Sequence, residues 1–203
     1  MRQVATFLGG EGDAWFKRNL EAPLNPIVVN TLTSIDSKPK LIVEVGCGYG
    51  RYLNEMQKKY DCRCIGYDPS SSAIHHGKNS YPKLELHVGA SESFWGLKID
   101  IIVFGFCLYL VDRNDLFRIV GLADQCLNDG GHIVIHDFDV LHPEVIPYHH
   151  KAGVFSYKMD YPGLWLANPA YSLVSARATE KGSAITVIKK GSWNESSPAI
   201  SIS

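Results

Sequence analysis

Residues 41–50, LIVEVGCGYG, restrict the fold of this chain more than any other stretch. An apolar run carries Glu44 near its end and opens into Gly46, Gly48 and Gly50. An unbroken apolar run bounded by glycines suits a strand buried on both faces of a parallel sheet. Glycines at its end let the backbone turn with positive φ and come close to a ligand. Beyond Gly50, Tyr52, Leu53, Met56 and Tyr60 share one face at helical spacing, so a helix starts at the turn. Strand, bare turn and helix N-terminus together make a nucleotide site. A second signal agrees with the first. Residues 62–70, CRCIGYDPS, read as a strand ending at Asp68, 22 positions after Gly46, about the interval found for an acid that grips ribose hydroxyls. Pro69 stops that strand, and Ser70 to Ser72 can cap a following helix.

The remaining segments extend the same alternation. LELHVG at 84–89 reads as a third strand, and DIIVFGF at 100–106, almost continuously apolar, as a central fourth. Asp112, with Asp115 three positions on, stands where a helix cap belongs. Leu116, Phe117, Ile119, Val120, Ala123 and Leu127 form the buried stripe of that helix. Asn128, Asp129, Gly130 and Gly131 end it, and HIVIHDF at 132–138 supplies a fifth strand. Residues 171–178 and 184–190 alternate like two strands joined by a turn at 179–182. The predicted fold is α/β: a doubly wound, mostly parallel seven-stranded sheet with a C-terminal antiparallel hairpin. The last dozen residues read as a loose tail.

Composition narrows the function classes. At 203 residues and 45% hydrophobic, the chain can bury a full core as one domain over residues 1–203. A formal charge of -1 leaves no basic excess to hold a polyanion, so nucleic acid is not an expected partner. Five cysteines, an odd number, fall mostly in apolar patterns, as small buried thiols in a reducing compartment do. Cys62 and Cys64 share a strand face without the further spaced ligands of a zinc site, so no metal is assigned. No apolar run nears membrane-spanning length, and the N-terminus lacks the basic start and long apolar core of a signal peptide. A cytoplasmic protein without a membrane partner is expected.

The ligand class follows from the turn. It reads GxGxG rather than the dinucleotide GxGxxG, and Glu44 lies two positions before the first glycine. A pyrophosphate gains nothing from a nearby carboxylate, whereas an amine or a sulfonium is attracted to one. VEVGCGYG and the acidic end of YDPS resemble the first two motifs of class I S-adenosylmethionine-dependent methyltransferases, a family also marked by the closing antiparallel hairpin. The resemblance implies S-adenosyl-L-methionine as cofactor, bound beyond the carboxyl ends of the strands at the switch point. It implies Glu44, Gly46, Gly48 and Gly50 at the methionine half, and Asp68 with Pro69 at the ribose. Ala90, Ser91 and Glu92 would meet the adenine, and Phe106 and Cys107 the sulfonium.

Three other stretches carry a narrower likeness: GGEGDAWFKRN at 9–19, FGFCLYLVDR at 104–113 and PYHHKAGVFSYKMDYPGLWLANPAY at 147–171. They resemble small methyltransferases of surface-sugar, pseudaminic-acid-type pathways, in which a glycine-rich turn with an acid leads to an Arg-Asn pair near the cofactor. That likeness implies Arg18 on the cofactor carboxylate through a bidentate contact and Asn19 on its amine. It also implies N-terminal helices over about residues 1–38 that admit the cofactor, and a sugar or sugar nucleotide of polysaccharide biosynthesis as acceptor.

Residues 139–169 are long for a connection in a compact domain and read as an acceptor-site insert. The insert brings Tyr148, His149, His150, Phe155, Tyr157, Lys158, Tyr161 and Trp165 to the carboxyl edge, where rings and imidazoles suit a small polar acceptor. Methyl transfer asks mainly for alignment, with the nucleophile in line and about 3 Å from the methyl carbon. A base helps when the acceptor is an alcohol, and histidine titrates in the right range. His149 and His150 are the candidate catalytic bases, with His136 and Asp137 at the end of the fifth strand as the competing pair. Metal assistance through His136, Asp137 and an imidazole of the insert stays open, because these residue types bind divalent ions. Three functions are compatible with the sequence. A small-molecule methyltransferase comes first; a methyltransferase for protein or nucleic acid lacks the Asn-Pro-Pro-Tyr type signature where this chain has FGFC; a non-catalytic cofactor-binding module is the third. Oligomeric state is open, with a homodimer among the options.

Overall fold

A computed structural model describes residues 2–90, 93–180 and 182–192. The chain opens with α1 (Gln3–Thr6), a π turn over Phe7–Glu11, α2 (Gly12–Asn19) and α3 (Pro26–Thr33). It continues through β1 (Leu41–Val45), α4 (Arg51–Tyr60), β2 (Arg63–Asp68), α5 (Ser71–Ser80), β3 (Glu85–Val88) and β4 (Ile99–Gly105). A 3-10 turn at Leu108–Leu110 leads to α6 (Arg113–Cys126) and β5 (Leu127–Phe138). Then come β6 (Glu144–Pro147), β7 (Phe155–Lys158), α7 (Gly163–Leu166), β8 (Tyr171–Ala178) and β9 (Ser183–Lys190).

Seven strands form one sheet in the order β3-β2-β1-β4-β5-β9-β8, while β6 and β7 pair apart from it. The first five run parallel; β9 is antiparallel to β5, and β8 to β9. This is the doubly wound sheet and closing hairpin that the sequence predicts. Because β1 pairs with β2 on one side and β4 on the other, the direction of winding reverses between β1 and β4. A crevice opens at such a reversal, beyond the carboxyl ends of the strands.

All five residues of β1 are buried because helices cover both faces of the sheet. Val43 and Val45 belong to the layer that includes α6 and α7, and Ile42 to the layer under α3, α4 and α5. Leu53 and Met56 of α4 are fully buried in that second layer, with Tyr52 and Tyr60 packed at its margin, as the helical spacing predicts. The Ser70 hydroxyl accepts from the Ala73 amide at 2.9 Å and so caps α5. Cys62 lies just before β2 rather than on a face of it, its sulfur 3.9 Å from that of Cys64, and the five cysteines are free thiols.

Several expectations are corrected. Phe117 is 75% exposed; at 3.6 residues per turn it falls opposite the face formed by Leu116, Ile119, Ala123 and Cys126. Leu127 does not extend the stripe of α6 but turns to extended backbone and begins β5, and Asn128 to Gly131 lie within that strand. A register shift against β4 between Ile99 and Ile101 absorbs the extra residues. Asp112 stands at the N-cap of α6, yet its carboxylate accepts from the Gln3 amide at 2.9 Å instead of capping the helix. Tyr161 and Trp165, expected at the acceptor edge, are 0% and 1% exposed. Burying such large rings removes the most apolar surface from water, and Trp165 packs 5.6 Å from the Phe104 ring under the sheet.

Candidate active site

The turn after β1 is built on three left-handed glycines, Gly46, Gly48 and Gly50, at φ 74°, 55° and 90°. A side chain on Gly46 would place its Cβ 2.7 Å from the Cys107 Cβ and 3.0 Å from the Gly105 carbonyl oxygen, so the tips of β1 and β4 meet only over bare backbone. The amides of Gly46 and Cys47 donate to the Tyr67 carbonyl at 2.8 and 3.2 Å, which fixes the turn to β2. Asp68 completes it: Oδ2 accepts from the Gly48 amide and Oδ1 from the Ser70 amide, each at 2.8 Å. A carboxylate offers about four lone-pair sites, so Asp68 still has acceptor capacity for hydroxyls. Burial dominates over those amides and raises its pKa to about 6.

Glu44 is 2% exposed, and its Oε2 has no hydrogen-bond partner. It lines a cavity of about 300 Å³ with Trp15, Asn19, Arg51, Tyr52 and Phe106. Burial, helped by the charge of Asp68, pushes its pKa up to about 8. A buried carboxyl oxygen without a donor, facing a cavity, fits a cationic ligand group that would restore its charge and complete its bonding. A second, apolar cavity is walled by Val4, Phe7, Pro69, Ala90 and Leu108. Gly46 borders both. One cleft therefore runs across the tips of β1, β2 and β4, polar at the Glu44 end and apolar at the Ala90 end. That gradient matches a molecule with an amino-acid head and a flat base. Ser91 and Glu92, assigned to the base by the sequence, lie outside the described residues.

At the end of β4, Phe106 adopts φ 53°, a left-handed conformation that costs a non-glycine residue about 1–3 kcal/mol and persists where its surroundings enforce it. Its amide donates to the His136 carbonyl at 2.8 Å, and its ring lies 5.1 Å from His136, 5.1 Å from Phe138 and 5.3 Å from Tyr109. Cys107 packs beneath Gly46 with its thiol donating to the Val45 carbonyl at 3.3 Å. Burial raises that thiol's pKa, which keeps it protonated. His136 reaches the Glu44 cavity, and burial pushes its pKa down to about 4, so its imidazole is neutral.

Asp137 does not join His136. Neighbouring strand residues point to opposite faces, and the Asp137 carboxylate is consumed by backbone: Oδ2 accepts from Leu108 at 2.9 Å and Tyr109 at 3.3 Å, Oδ1 from Phe138 at 2.8 Å. It anchors the turn after β4, and burial raises its pKa to about 7. The structure therefore brings His136, but not the Asp137 carboxylate, to the Glu44 cavity. His149 and His150 sit exposed on the turn after β6 and line neither cavity; His150 packs edge-on to Tyr148, ring centres 5.3 Å apart. Among the described residues no group of three or more His, Cys, Asp or Glu could hold a metal ion.

The N-terminal segment closes over the cleft. Asp13 accepts from the Ser70 hydroxyl at 2.6 Å and the Ser72 amide at 2.9 Å, which joins α2 to the start of α5. Arg18 is bound to Glu11 at 2.6 Å and to the Tyr148 hydroxyl at 3.2 Å, and is not among the residues lining the Glu44 cavity. Asn19 does line it, but its amide nitrogen donates to the Trp15 carbonyl at 2.8 Å. The guanidinium bordering this cavity belongs to Arg51, held 5.0 Å from the Tyr49 ring centre and donating to the Ala22 carbonyl. Sequence reasoning passes over Arg51, although its place directly after Gly50, at the first turn of a helix, is the available signal.

A cleft at the winding reversal of a mostly parallel sheet that ends in an antiparallel hairpin is the class I methyltransferase fold. The chain belongs to the methyltransferase-domain family, whose sequence pattern matches residues 16–179. Its fold is similar to that of 1,6-didemethyltoxoflavin-N1-methyltransferase from Burkholderia thailandensis, solved with 1,6-didemethyltoxoflavin and S-adenosylhomocysteine: TM-score 0.74, 14% identity, over 93% of this chain and 87% of that one. DhpI, solved as a complex with SAH, gives TM-score 0.67 at 14% identity over 93% of this chain and 95% of that one. An O-methyltransferase family protein from Burkholderia thailandensis gives TM-score 0.65 at 12% identity over 96% of this chain and 64% of that one. Among curated proteins no sequence matches the chain.

Proposed function

We propose that the protein transfers the methyl group of S-adenosylmethionine to a small-molecule acceptor, with sugars and sugar nucleotides as the first class to test. The observation that carries the cofactor half is the orphaned Oε2 of Glu44 at the base of a glycine-walled cleft. The cofactor supplies an electrophilic methyl group on a sulfonium. Glu44 offers its carboxylate to the ammonium, Asp68 its free lone pairs to the ribose, and Pro69 and Ala90 an apolar wall to the base. Phe106 and Cys107 border the cleft between the two halves, and Arg51 supplies a guanidinium beside the amino-acid end.

Support for a small acceptor comes from the open side of the same cleft, where His136 and Phe106 also border a second groove. One similar structure holds 1,6-didemethyltoxoflavin, a small molecule. The sugar class is supported by the likeness of residues 9–19 and 147–171 to surface-sugar methyltransferases. His136 is the imidazole that faces the reacting atoms, and residues 139–169 act as cover, with Tyr148 against Phe7 and Arg18. The test is incubation with labelled S-adenosylmethionine and a panel of free sugars, sugar nucleotides, amines, peptides and transfer RNA. Label is expected in a small molecule; label confined to peptide or transfer RNA, or label in no class at all, overturns the proposal.

A further inference from the structure

We infer that the groove beside the cofactor cleft is the acceptor site and that it takes a small amine, which is methylated on nitrogen. This rests on the proposed function and narrows it. The groove is walled by Phe106 and Phe138 at the tips of β4 and β5, by Pro23 and Leu24 after α2, and by Glu180 in the turn between β8 and β9. It shares Ala22, Pro23, Phe106 and His136 with the Glu44 cavity, so a molecule lying in it reaches the cofactor's methionine half.

The chemistry of the wall selects the occupant. Among the described residues that line the groove, Glu180 is the side chain carrying a full charge. The neighbouring hydroxyls are committed to the turn: the Oγ atoms of Thr179 and Ser183 are 2.6 Å apart, and Ser183 also donates to the Glu180 carbonyl. A phosphate or carboxylate placed here meets the like charge of Glu180 and, among the described lining residues, no counter-charge. An ammonium meets the Glu180 carboxylate and the Phe106 ring, both of which attract cations. Lys158, which does not line the groove, already places its ammonium 4.4 Å from the Phe138 ring centre. Among the described lining residues the diphosphate of a nucleotide sugar finds no cationic partner, whereas a free amino sugar is compatible with the groove.

His136 separates nitrogen from oxygen acceptors. With its pKa lowered to about 4 by burial, its imidazole is a poor base for an aliphatic hydroxyl near neutral pH. An amine brings its own lone pair. The bound ammonium first gives one proton to water; the nitrogen lone pair then forms the N–C bond as the C–S bond breaks and its electron pair goes to sulfur. The products are a methylated ammonium and S-adenosylhomocysteine.

Three matched probes test this: benzylamine, benzyl alcohol and benzyl phosphate, each titrated at pH 7 into the full chain saturated with S-adenosylhomocysteine. Benzylamine is expected to bind at least about tenfold more tightly than either analogue, a difference of about 1.4 kcal/mol. Glu180→Gln is expected to remove the preference while S-adenosylhomocysteine still binds. Equal binding of the three, binding of none, tighter binding of the phosphate, or a preference that survives Glu180→Gln overturns the inference. Failure of S-adenosylhomocysteine to bind the unaltered chain overturns the proposed function itself, so the two failures are told apart.

Discussion

Glu44 concentrates the conflict between stability and binding in one side chain. Its pKa stands at about 8 in the folded protein, against about 4.3 in an unfolded chain. Between those values the folded state binds more protons than the unfolded state, so stability falls as pH rises from about 4 to about 8. Asp68 and Asp137, raised to about 6 and about 7, add the same sign over narrower windows. Glu44→Gln removes the charge that has to be desolvated, and is expected to stabilise the ligand-free protein at pH 8.5 by about 1–3 kcal/mol. The same change is expected to weaken S-adenosylhomocysteine binding by about tenfold or more, because the ammonium loses its counter-charge. Melting curves from pH 5 to 9 and calorimetric titration read both effects. A variant that melts no higher than wild type at pH 8.5, or that binds with unchanged affinity, sinks the role given to Glu44.

At the level of elements, Ser70 joins two helices through one hydroxyl, capping α5 at Ala73 and donating to Asp13 of α2. Ser70→Ala is expected to cost about 1–2 kcal/mol in denaturant unfolding, the upper part of the range for a lost cap. Cofactor affinity should fall with it, since α2 carries Trp15 and Asn19 into the cavity; a loss below about 0.5 kcal/mol, the scatter of ordinary surface substitutions, contradicts this. The sequence carries this cap openly because proline, then serine, marks a helix start within a few residues. β1, the glycine turn, α4, β2 and the closing hairpin were legible for the same reason, their signals being local. The junction of α6 and β5 was not. Leu127 continues the helical spacing of Ala123, yet its backbone is extended, it pairs with Ile99, and Asn128 is tied to Asp100 at 2.8 Å, so the chain has already become a strand. The fate of Tyr161 and Trp165 was hidden too, because an aromatic-rich stretch looks alike whether its rings face a substrate or the core.

For the molecule as a whole, the Glu44 end of the cleft could be read from sequence because strand tips carry it, and the groove beside it could not because distant segments meet there. Arg18 illustrates the difference: its place beside the cleft suggests a cofactor contact, but Glu11 and Tyr148 engage it, the latter 130 positions away. Asp137 likewise gains its role from amides 28 and 29 positions earlier in the chain. The winding reversal between β1 and β4 has a kinetic corollary. β1 can pair with β2 early, but the cleft needs β4, whose Ile101 lies against Ile42 only after a long loop has closed. A chain with only its first three strands assembled has no floor for the methionine half, so the cofactor cannot template that stage. S-adenosylhomocysteine should accordingly slow unfolding in stopped-flow experiments while leaving the refolding rate nearly unchanged. The protein would be guarded by its ligand against coming apart, yet left to find its shape unaided.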